Sequence, residues 1–227
     1  MQLEPYAIPI ERGEGALLYD PEGREYIDAI SSWWVNTHGH ANPRIADAIA
    51  KQAQKLEQVI FAGFTHEPAV ELAEKLLGIL PANQERIFFS DDGSTSVEVA
   101  LKLAIQYWHN RKENRRKIIA FEDAYHGDTF GAMSVTARDT FTLPFHDYLF
   151  EVSRIPVPVS GCEEQAKEAL KGELQSGGVA ALIIEPLILG AGGMIMYSPE
   201  VLETLVSLAH EYGALVIADE VMTGFGR

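Results

Sequence analysis

The sequence of 227 residues contains one cysteine, Cys162, and few basic residues. A single cysteine excludes internal disulfides and any zinc cage built from several cysteines. Lysine and arginine number 18 against 33 acidic residues, which gives a formal net charge of −15, and the one short basic cluster spans residues 111–117. Because nucleic acids are bound through basic patches that neutralise phosphates, we expect no nucleic-acid partner. No lysine precedes a serine or threonine, which excludes a Walker-type phosphate loop.

The sequence also lacks long apolar runs and a secretory signal. Its first ten residues, MQLEPYAIPI, have neither the basic start nor the apolar core of a signal peptide. The longest apolar run, residues 179–189, is interrupted by Glu185-Pro186 and is too short to cross a bilayer. We therefore expect a soluble protein of a reducing compartment, the cytoplasm, with small molecules and no membrane as partners. The hydrophobic fraction of 47% is that of an ordinary globular protein.

The sequence pattern of residues 1–42 predicts a β-rich segment that belongs to a small domain. Residues 16–19 and 25–30 read as two strands around the turn formed by residues 20–23, as in a hairpin. Residues 31–40, SSWWVNTHGH, have no clear period and are predicted to form a loop.

Residues 43–227 predict part of a large domain in which strands and helices alternate. Asn42-Pro43 is typical of a helix start, and a second helix begins at Glu67-Pro68 and ends near Pro81. Apolar residues recur at helical spacing in both segments and predict an inner apolar face on each helix. The strands predicted after it are residues 86–90, 117–121, 154–157, 179–184 and 214–218, and the helices are residues 94–108, 163–174 and 199–212. This alternation predicts an α/β fold with a mostly parallel sheet and helices on both faces.

A glycine and small hydroxyl residues stand where a helix is predicted to follow a strand. Gly93 allows a tight turn, and Ser94 begins the helix. Exposed N–H groups and the positive end of the helix dipole would then suit a phosphate group. Ordinary N-capping by Ser94 or Thr95 is the structural alternative.

Two acidic residues follow buried strands directly. Asp219 follows residues 214–218, and Glu185 follows residues 179–184. Ligands of open α/β sheets bind outside the carboxyl ends of the strands, so the pair predicts a site for a cation or a protonated ring. A turn or cap at Asp219, and a cap or salt bridge at Glu185, are the alternatives.

Two aromatic segments could contact a ligand. Tyr125 follows a strand, where its ring could lie flat on a planar ligand, although a half-buried tyrosine in a turn is equally ordinary. His126 and Asp128 lie beside it without a third metal ligand at a recognisable spacing, so we predict no metal. Trp33 and Trp34, if extended, would point one ring to the core and the other to a ligand.

In this order the segments resemble the class III, fold-type I aminotransferases, which use pyridoxal phosphate. The resemblance rests on SSWWVNTHGH, FAGFTHEPAVELAEKL, DDGSTSVEVALKLAIQYW, AYHGDTFGAMSV, IIEP followed by GAGGM, and IADEVMTGFGR. It runs over nearly the whole chain and implies pyridoxal 5′-phosphate as cofactor and a homodimer with its sites at the subunit interface.

The resemblance also implies roles for individual residues. Gly93 and Ser94 correspond to the phosphate cradle, Tyr125 to the ring that stacks on the pyridine, and Asp219 to the catalytic partner of the ring nitrogen. The residues assigned to the cofactor are Gly93, Ser94, Tyr125, His126, Glu185 and Asp219. Those assigned to the substrate are Trp33, Trp34, Tyr125 and Asp128.

The adjacent tryptophans favour one reaction within the family. It is transfer of the amino group of S-adenosylmethionine to 8-amino-7-oxononanoate, giving 7,8-diaminononanoate in biotin synthesis. Members that act on ω-amino acids, ornithine or diamines are the alternative.

The family's Schiff-base lysine lies beyond the GFGR segment, and none of the eight lysines here stands in its place. We therefore expect the N-terminal half of a longer enzyme, inactive alone. A short protein that lost catalysis, or a folding or dimerisation unit, would be a non-catalytic alternative.

Overall fold

The computed structural model describes residues 6–226, and the chain forms two compact units, residues 1–88 and 89–227. The predicted boundary at residue 42 falls inside the first unit, and the division into two domains there stays a prediction. None of the helices in the described residues is both long and apolar enough to cross a membrane.

The first unit contains a three-stranded antiparallel sheet of β1 (Arg12–Glu14), β2 (Leu17–Tyr19) and β3 (Glu25–Ile27). Strands β2 and β3 form the predicted hairpin. Asp20 fixes its turn, because the buried carboxylate accepts hydrogen bonds from the Arg24 amide and the Tyr26 hydroxyl, both at 2.9 Å.

The segment predicted as a loop, residues 31–40, begins with a left-handed helical turn, α1 (Ser31–Trp34). Its four residues have φ between 47° and 66°. Such a conformation is costly for residues with a Cβ, so other contacts must stabilise it. Asp28 provides two, because its carboxylate accepts from the Ser32 amide at 2.9 Å and the Ser32 hydroxyl at 2.7 Å. These bonds, with that from His40, lower the pKa of Asp28 to about 2.

Two helices complete the first unit, α2 (Pro43–Lys55) and α3 (Glu67–Leu77). The predicted cap is confirmed, since the Asn42 side chain accepts from the Arg44 amide at 3.0 Å. Helix α3 ends before the predicted Pro81. Neither helix has a buried residue, although the sequence predicted an inner apolar face on each.

The second unit is an α/β layer. Its elements are α4 (Gly93–Asn110), β4 (Lys117–Phe121), α5 (Phe130–Val135), a 3-10 helix (Leu143–Tyr148), β5 (Ser153–Ile155), α6 (Glu163–Gln175), β6 (Val179–Ile184), β7 (Ile188–Leu189), β8 (Ile195–Met196), α7 (Pro199–Glu211), β9 (Leu215–Ala218) and a final 3-10 turn (Gly224–Gly226). Helix α5 and the 3-10 helix lie in a stretch for which the sequence predicted no element.

The main sheet is parallel throughout, in the order β5-β4-β6-β9. All six residues of β6 are buried, as expected for a central strand covered on both faces. Strands β7 and β8 form a separate antiparallel pair.

Helices cover both faces of the sheet, which confirms the predicted architecture. One face packs on α6 and α7 through Leu170 and Leu205, and the other on α4 and α5 through Leu101 and Val135. Trp108 anchors α4 directly to the central strand, because its indole N–H donates to the carbonyl of Ala180 at 2.9 Å.

One predicted strand is wrong. Residues 86–90 form no ladder with any described strand, and Phe88 is 70% exposed. The β-like composition of this stretch is not sufficient, because a strand is stabilised by pairing and cross-strand contacts rather than by propensity alone.

Candidate active site

Helix α4 begins with a capping box in which Asp92 is the N-cap residue. The Asp92 carboxylate accepts from the Thr95 amide at 2.8 Å, and Thr95 Oγ1 accepts from the Asp92 amide at 3.0 Å. An N-cap at Ser94 or Thr95, the alternative raised by the sequence, is therefore wrong. The Ser94 hydroxyl instead accepts from the Asp128 amide at 3.1 Å. Ser94 thus joins the helix start to residues 125–128.

Two N–H groups in the first turn of α4 have no acceptor within the part of the chain that the structure describes. They are the amides of Gly93 and Ser94. The first N–H groups of a helix carry the positive end of its dipole, and no carbonyl inside the helix can satisfy them. Buried Val97 and Leu101 pack this end of α4 on the sheet. The start of α4 is therefore a site suited to an anion such as phosphate.

The loop of residues 125–128 follows β4 and packs directly against that helix start. A Cβ at Gly127, whose φ is 126°, would overlap the Ser94 side chain, so this approach requires glycine. The Tyr125 hydroxyl donates to Asp128 at 3.0 Å. Burial, with this bond to a carboxylate, raises the pKa of Tyr125 to about 12, which keeps the phenol protonated.

Asp219 lies at the carboxyl end of β9, next to the end of β6. Its amide donates to the carbonyl of Ile184 at 2.8 Å. One carboxylate oxygen lies 2.7 Å from Nδ1 of the buried His126, and the other accepts from the Val221 amide at 3.1 Å. Because an ionised carboxylate can only accept, we assign the shared proton to Nδ1.

Glu185, at the end of β6, uses both oxygens on backbone amides. One accepts from Tyr125 and the other from Gly190, each at 2.9 Å. Burial raises the pKa of Glu185, and the nearby Asp219 adds to the increase, while the two amides and His126 oppose it. Glu185 therefore ties the Tyr125 loop to the loop after β6.

These segments lie next to one another, and their identity as one ligand site stays a prediction. A Cβ at Gly93 would lie 3.0 Å from Val221, so the start of α4 touches the loop after Asp219. A Cβ at Gly190 would overlap Met222 of the same loop. The start of α4 and the carboxylate of Asp219 thus belong to adjoining segments.

The paired tryptophans lie in the first unit. Trp33 is 70% exposed and Trp34 is half-buried, with ring centroids 6.2 Å apart and edge-to-face geometry. The expectation of one ring in the core is wrong, because its premise was an extended segment and the backbone is a left-handed turn. Their assignment to the substrate stays a prediction.

Sequence reasoning missed two residues at the site, Glu98 and Thr136. Glu98 accepts from the amides of Gly131 and Ala132, and the Thr136 hydroxyl accepts from the His126 amide at 2.9 Å. Their positions carry no local signal, because for Glu98 the partners are more than 30 residues away along the chain.

A cavity of about 810 Å³ lies elsewhere, at the C-terminal end of α4, where residues such as Lys102, His109 and Arg116 line it. It contains none of the predicted site residues. The described residues contain no group of three or more His, Cys, Asp or Glu that could hold a metal ion.

Comparison with known proteins reveals a family and close relatives. The family model for aminotransferase class-III matches residues 2–227. The chain is 55% identical to the adenosylmethionine-8-amino-7-oxononanoate aminotransferase of Synechococcus elongatus over 231 residues, 98% of this chain and 54% of the relative. It is 39% identical to the protein of that name from Staphylococcus aureus, over 97% of this chain and 52% of the relative.

A solved structure agrees. The chain superposes on the adenosylmethionine-8-amino-7-oxononanoate aminotransferase from Methanocaldococcus jannaschii with a TM-score of 0.92 at 37% identity, covering 98% of this chain and 51% of that one. The fold is therefore that of the fold-type I transaminases, as the sequence predicted. The chain spans about half the length of the curated relatives it matches.

Proposed function

The chain belongs to the class-III aminotransferase family, and on that premise we propose that its second unit holds the phosphate and ring of pyridoxal phosphate, the cofactor of this family. The observation that supports this most directly is the contact between the start of α4 and the loop after Asp219. Amides suited to an anion and a carboxylate thus lie in adjoining segments, which supports binding of a phosphorylated pyridine.

The residues present fit the cofactor. The unsatisfied amides of Gly93 and Ser94 would bind the phosphate, with no side chain at Gly93 in the way. Tyr125, 39% exposed, would lie on the ring, and Asp219 would face the ring nitrogen. His126 Nε2 is buried and has no partner among residues 6–226, which is unusual for a polar atom and is typical of functional sites.

Each of these site residues has a distinct role in the proposal. When bound, the cofactor supplies an electron sink for the charge formed when a proton leaves the substrate Cα. Asp219 would stabilise a proton on the ring nitrogen, and His126 orients Asp219 through Nδ1. Glu185 holds the Tyr125 backbone in place. The phenol of Tyr125 is protonated near neutral pH, as an ordinary tyrosine is, and its pKa, raised to about 12, keeps it protonated at alkaline pH as well.

We propose further that the substrates are S-adenosylmethionine and 8-amino-7-oxononanoate, which would yield 7,8-diaminononanoate. Relatives with 35–55% identity carry the name of this aminotransferase. The exposed Trp33 beside Trp34 offers an aromatic surface to a long aliphatic chain. Another ω-amine as donor is the second candidate, since the omega transaminase from Pseudomonas jessenii superposes at 30% identity with a TM-score of 0.88, over 100% of this chain and 53% of that one.

The test is a half-reaction with the longer enzyme that includes the family's Schiff-base lysine, loaded with pyridoxal phosphate, because the 227 residues alone are expected to be inactive. We expect S-adenosylmethionine to convert the cofactor absorbance to that of pyridoxamine phosphate, and β-alanine and putrescine to leave it unchanged. Conversion by β-alanine or putrescine alone would favour the second candidate. No conversion by any amine would refute transamination.

We also propose a cytoplasmic homodimer, because the family builds its sites at a subunit interface and because the single Cys162 suits a reducing compartment. Sedimentation of the holoenzyme tests this state. A monomer at micromolar concentration would contradict it.

A further inference from the structure

Helix α5 is short, and its first turn is held by a side chain from another helix. Glu98 Oε1 accepts three hydrogen bonds, from the Thr129 hydroxyl and the Gly131 amide at 2.6 Å and from the Ala132 amide at 3.2 Å. A six-residue helix is unstable by itself, so it depends on tertiary contacts: the burial of its second half and the hydrogen bonds from Glu98.

Glu98 comes from the second turn of α4, the same helix whose first turn carries the amides of Gly93 and Ser94. A Cβ at Gly131 would overlap the Glu98 carboxylate, so a side chain there would displace this carboxylate from its present position. No lysine or arginine in residues 6–226 forms an ion pair with Glu98. Within the described residues, the hydrogen-bond donors to its carboxylate are Thr129, which precedes α5, and the Gly131 and Ala132 amides of α5.

The other end of α5 is held by Arg154, on β5. Its Nη2 donates to the carbonyls of Ser134 and Thr136, at 3.0 and 2.6 Å. An acid at the N-terminal end and a cation at the C-terminal end both oppose the helix dipole favourably. Thr136 continues the connection to the site, because its hydroxyl accepts from the His126 amide at 2.9 Å.

We propose that Glu98 is a positioning residue for the site. By joining α4 to α5 it sets the distance between the helix start at Gly93 and the loop of residues 125–128, which carries Tyr125 and His126. The inference rests on the proposed function for the identity of the ligand, pyridoxal phosphate or its amine form. The mechanical part, in which Glu98 holds residues 125–136, stands without it.

The experiment compares Glu98→Ala and Glu98→Gln with Lys102→Ala in the full chain. Lys102 lies one turn further along α4 and is exposed, and its side chain forms no hydrogen bond or ion pair with α5 within residues 6–226. The glutamine retains an acceptor oxygen but no charge, and the alanine retains neither. Amide hydrogen exchange of residues 125–136 is the first measurement, with exchange in β4 and β6 reporting on the overall fold.

We expect Glu98→Ala to speed exchange of residues 125–136 by about tenfold or more, the effect of losing hydrogen bonds to a charged acceptor. Exchange in β4 and β6 should stay at the wild-type rate. Glu98→Gln should increase the exchange rate about half as much as Glu98→Ala on a logarithmic scale, and Lys102→Ala should leave the rate unchanged. Unchanged exchange of residues 125–136 in Glu98→Ala would overturn the proposal. If the alanine variant does not fold, the same comparison with Glu98→Gln decides.

The second measurement is binding of pyridoxamine 5′-phosphate, which has no aldehyde and cannot form imines with the eight lysines. Fluorescence gives its affinity, and circular dichroism of the bound ring reports whether the ring is held in one orientation. We expect Glu98→Ala to weaken binding about tenfold and to reduce the ring signal, with partial rescue in Glu98→Gln. Faster exchange with wild-type affinity and ring signal would overturn the positioning role. No binding by the wild-type chain would refute the proposed function, while the exchange experiment would still decide the role of Glu98.

Discussion

At the scale of single residues, the proposed site depends on how Asp219 is held. Both of its oxygens accept hydrogen bonds, one from His126 Nδ1 and one from the Val221 amide. Because these partners already hold the carboxylate in one conformation, it loses little conformational entropy on binding a ring nitrogen, and the affinity is higher.

Replacement of Asp219 by asparagine should weaken cofactor binding. The variant keeps the size of the side chain but loses the charge opposite the ring nitrogen. We expect pyridoxamine phosphate to bind about tenfold to a hundredfold more weakly, as for loss of a hydrogen bond to a charged group. Glu220→Gln, which neutralises the exposed neighbouring acid, is the control and should bind as wild type. Wild-type affinity in Asp219→Asn would contradict the assignment.

Substitutions at Tyr125 can separate the contribution of its ring to cofactor affinity from that of its hydroxyl. Tyr125→Phe loses the hydrogen bond to Asp128 but retains the aromatic face, so its affinity for pyridoxamine phosphate should fall by no more than about twofold. Tyr125→Ala should lose about three- to tenfold, the range of an aromatic stacking contact. Fluorescence titration measures both. Equal losses in the two variants would assign the contribution to the hydroxyl instead.

The buried Glu185 should make stability depend on pH. Its folded-state pKa is raised above the ordinary value of 4.5, mainly by burial. The stabilisation due to proton binding is therefore complete below 4.5 and is lost as the pH rises through the folded-state pKa.

We therefore expect the free energy of unfolding of the wild type, relative to Glu185→Gln, to fall as the pH is raised from below 4.5 to about 7. Denaturant unfolding at a series of pH values measures this difference. The glutamine also loses one of the two acceptor oxygens, which changes stability at every pH. The test is therefore how the difference in free energy of unfolding varies with pH, and not its size at one pH. A slope of zero or opposite sign would show that burial does not control this carboxyl group.

At the scale of secondary structure, the sequence predicted elements well where the apolar pattern and the tertiary contacts agree. The boundaries of β4 and β6 match the predicted ranges, because short apolar runs flanked by polar residues lie in a buried parallel sheet. Helix α5 was missed because six residues carry little periodic signal, and the side chains that hold its two ends, Glu98 and Arg154, are distant in the sequence. The turn at Trp33 was missed because left-handed backbone has no apolar period.

The capping box of α4 connects an element to the site, and its removal should have two effects. Asp92→Ala leaves the Thr95 amide without its acceptor, which should cost about 1 kcal/mol of stability. Fraying of the first turn should also weaken binding of pyridoxamine phosphate at Gly93 and Ser94. Denaturant unfolding and fluorescence titration measure the two effects.

Ser198→Ala is the matched control for Asp92→Ala, because Ser198 caps α7 by accepting from the Val201 amide. It should lower stability to a similar extent and leave binding unchanged. An equal loss of binding in both variants would mean that overall stability, not the start of α4, controls affinity.

At the scale of the molecule, the two units differ in how much they bury. In residues 6–88 only Asp20 is buried, whereas the second unit has apolar clusters on both faces of its sheet. The sequence predicted apolar faces on α2 and α3, but periodicity cannot tell which partner covers a face. The candidate site within the second unit could be predicted, because the carboxyl ends of parallel strands must meet at one edge of the sheet. The relation of Trp33 to that site could not.

Burial on this scale predicts where a protease cuts first. Helices α2 and α6 both have 13 residues and each carries two lysines, Lys51 and Lys55 in α2 and Lys167 and Lys171 in α6. Helix α6 buries three apolar residues against the sheet and α2 buries none, so local opening of α2 should cost less free energy. We expect limited trypsin digestion of the native chain, followed by mass spectrometry, to detect cleavage at Lys51 and Lys55 well before cleavage at Lys167 and Lys171. Cleavage of both helices at the same rate would mean that the chain opens as one cooperative unit, or that α2 is covered in solution.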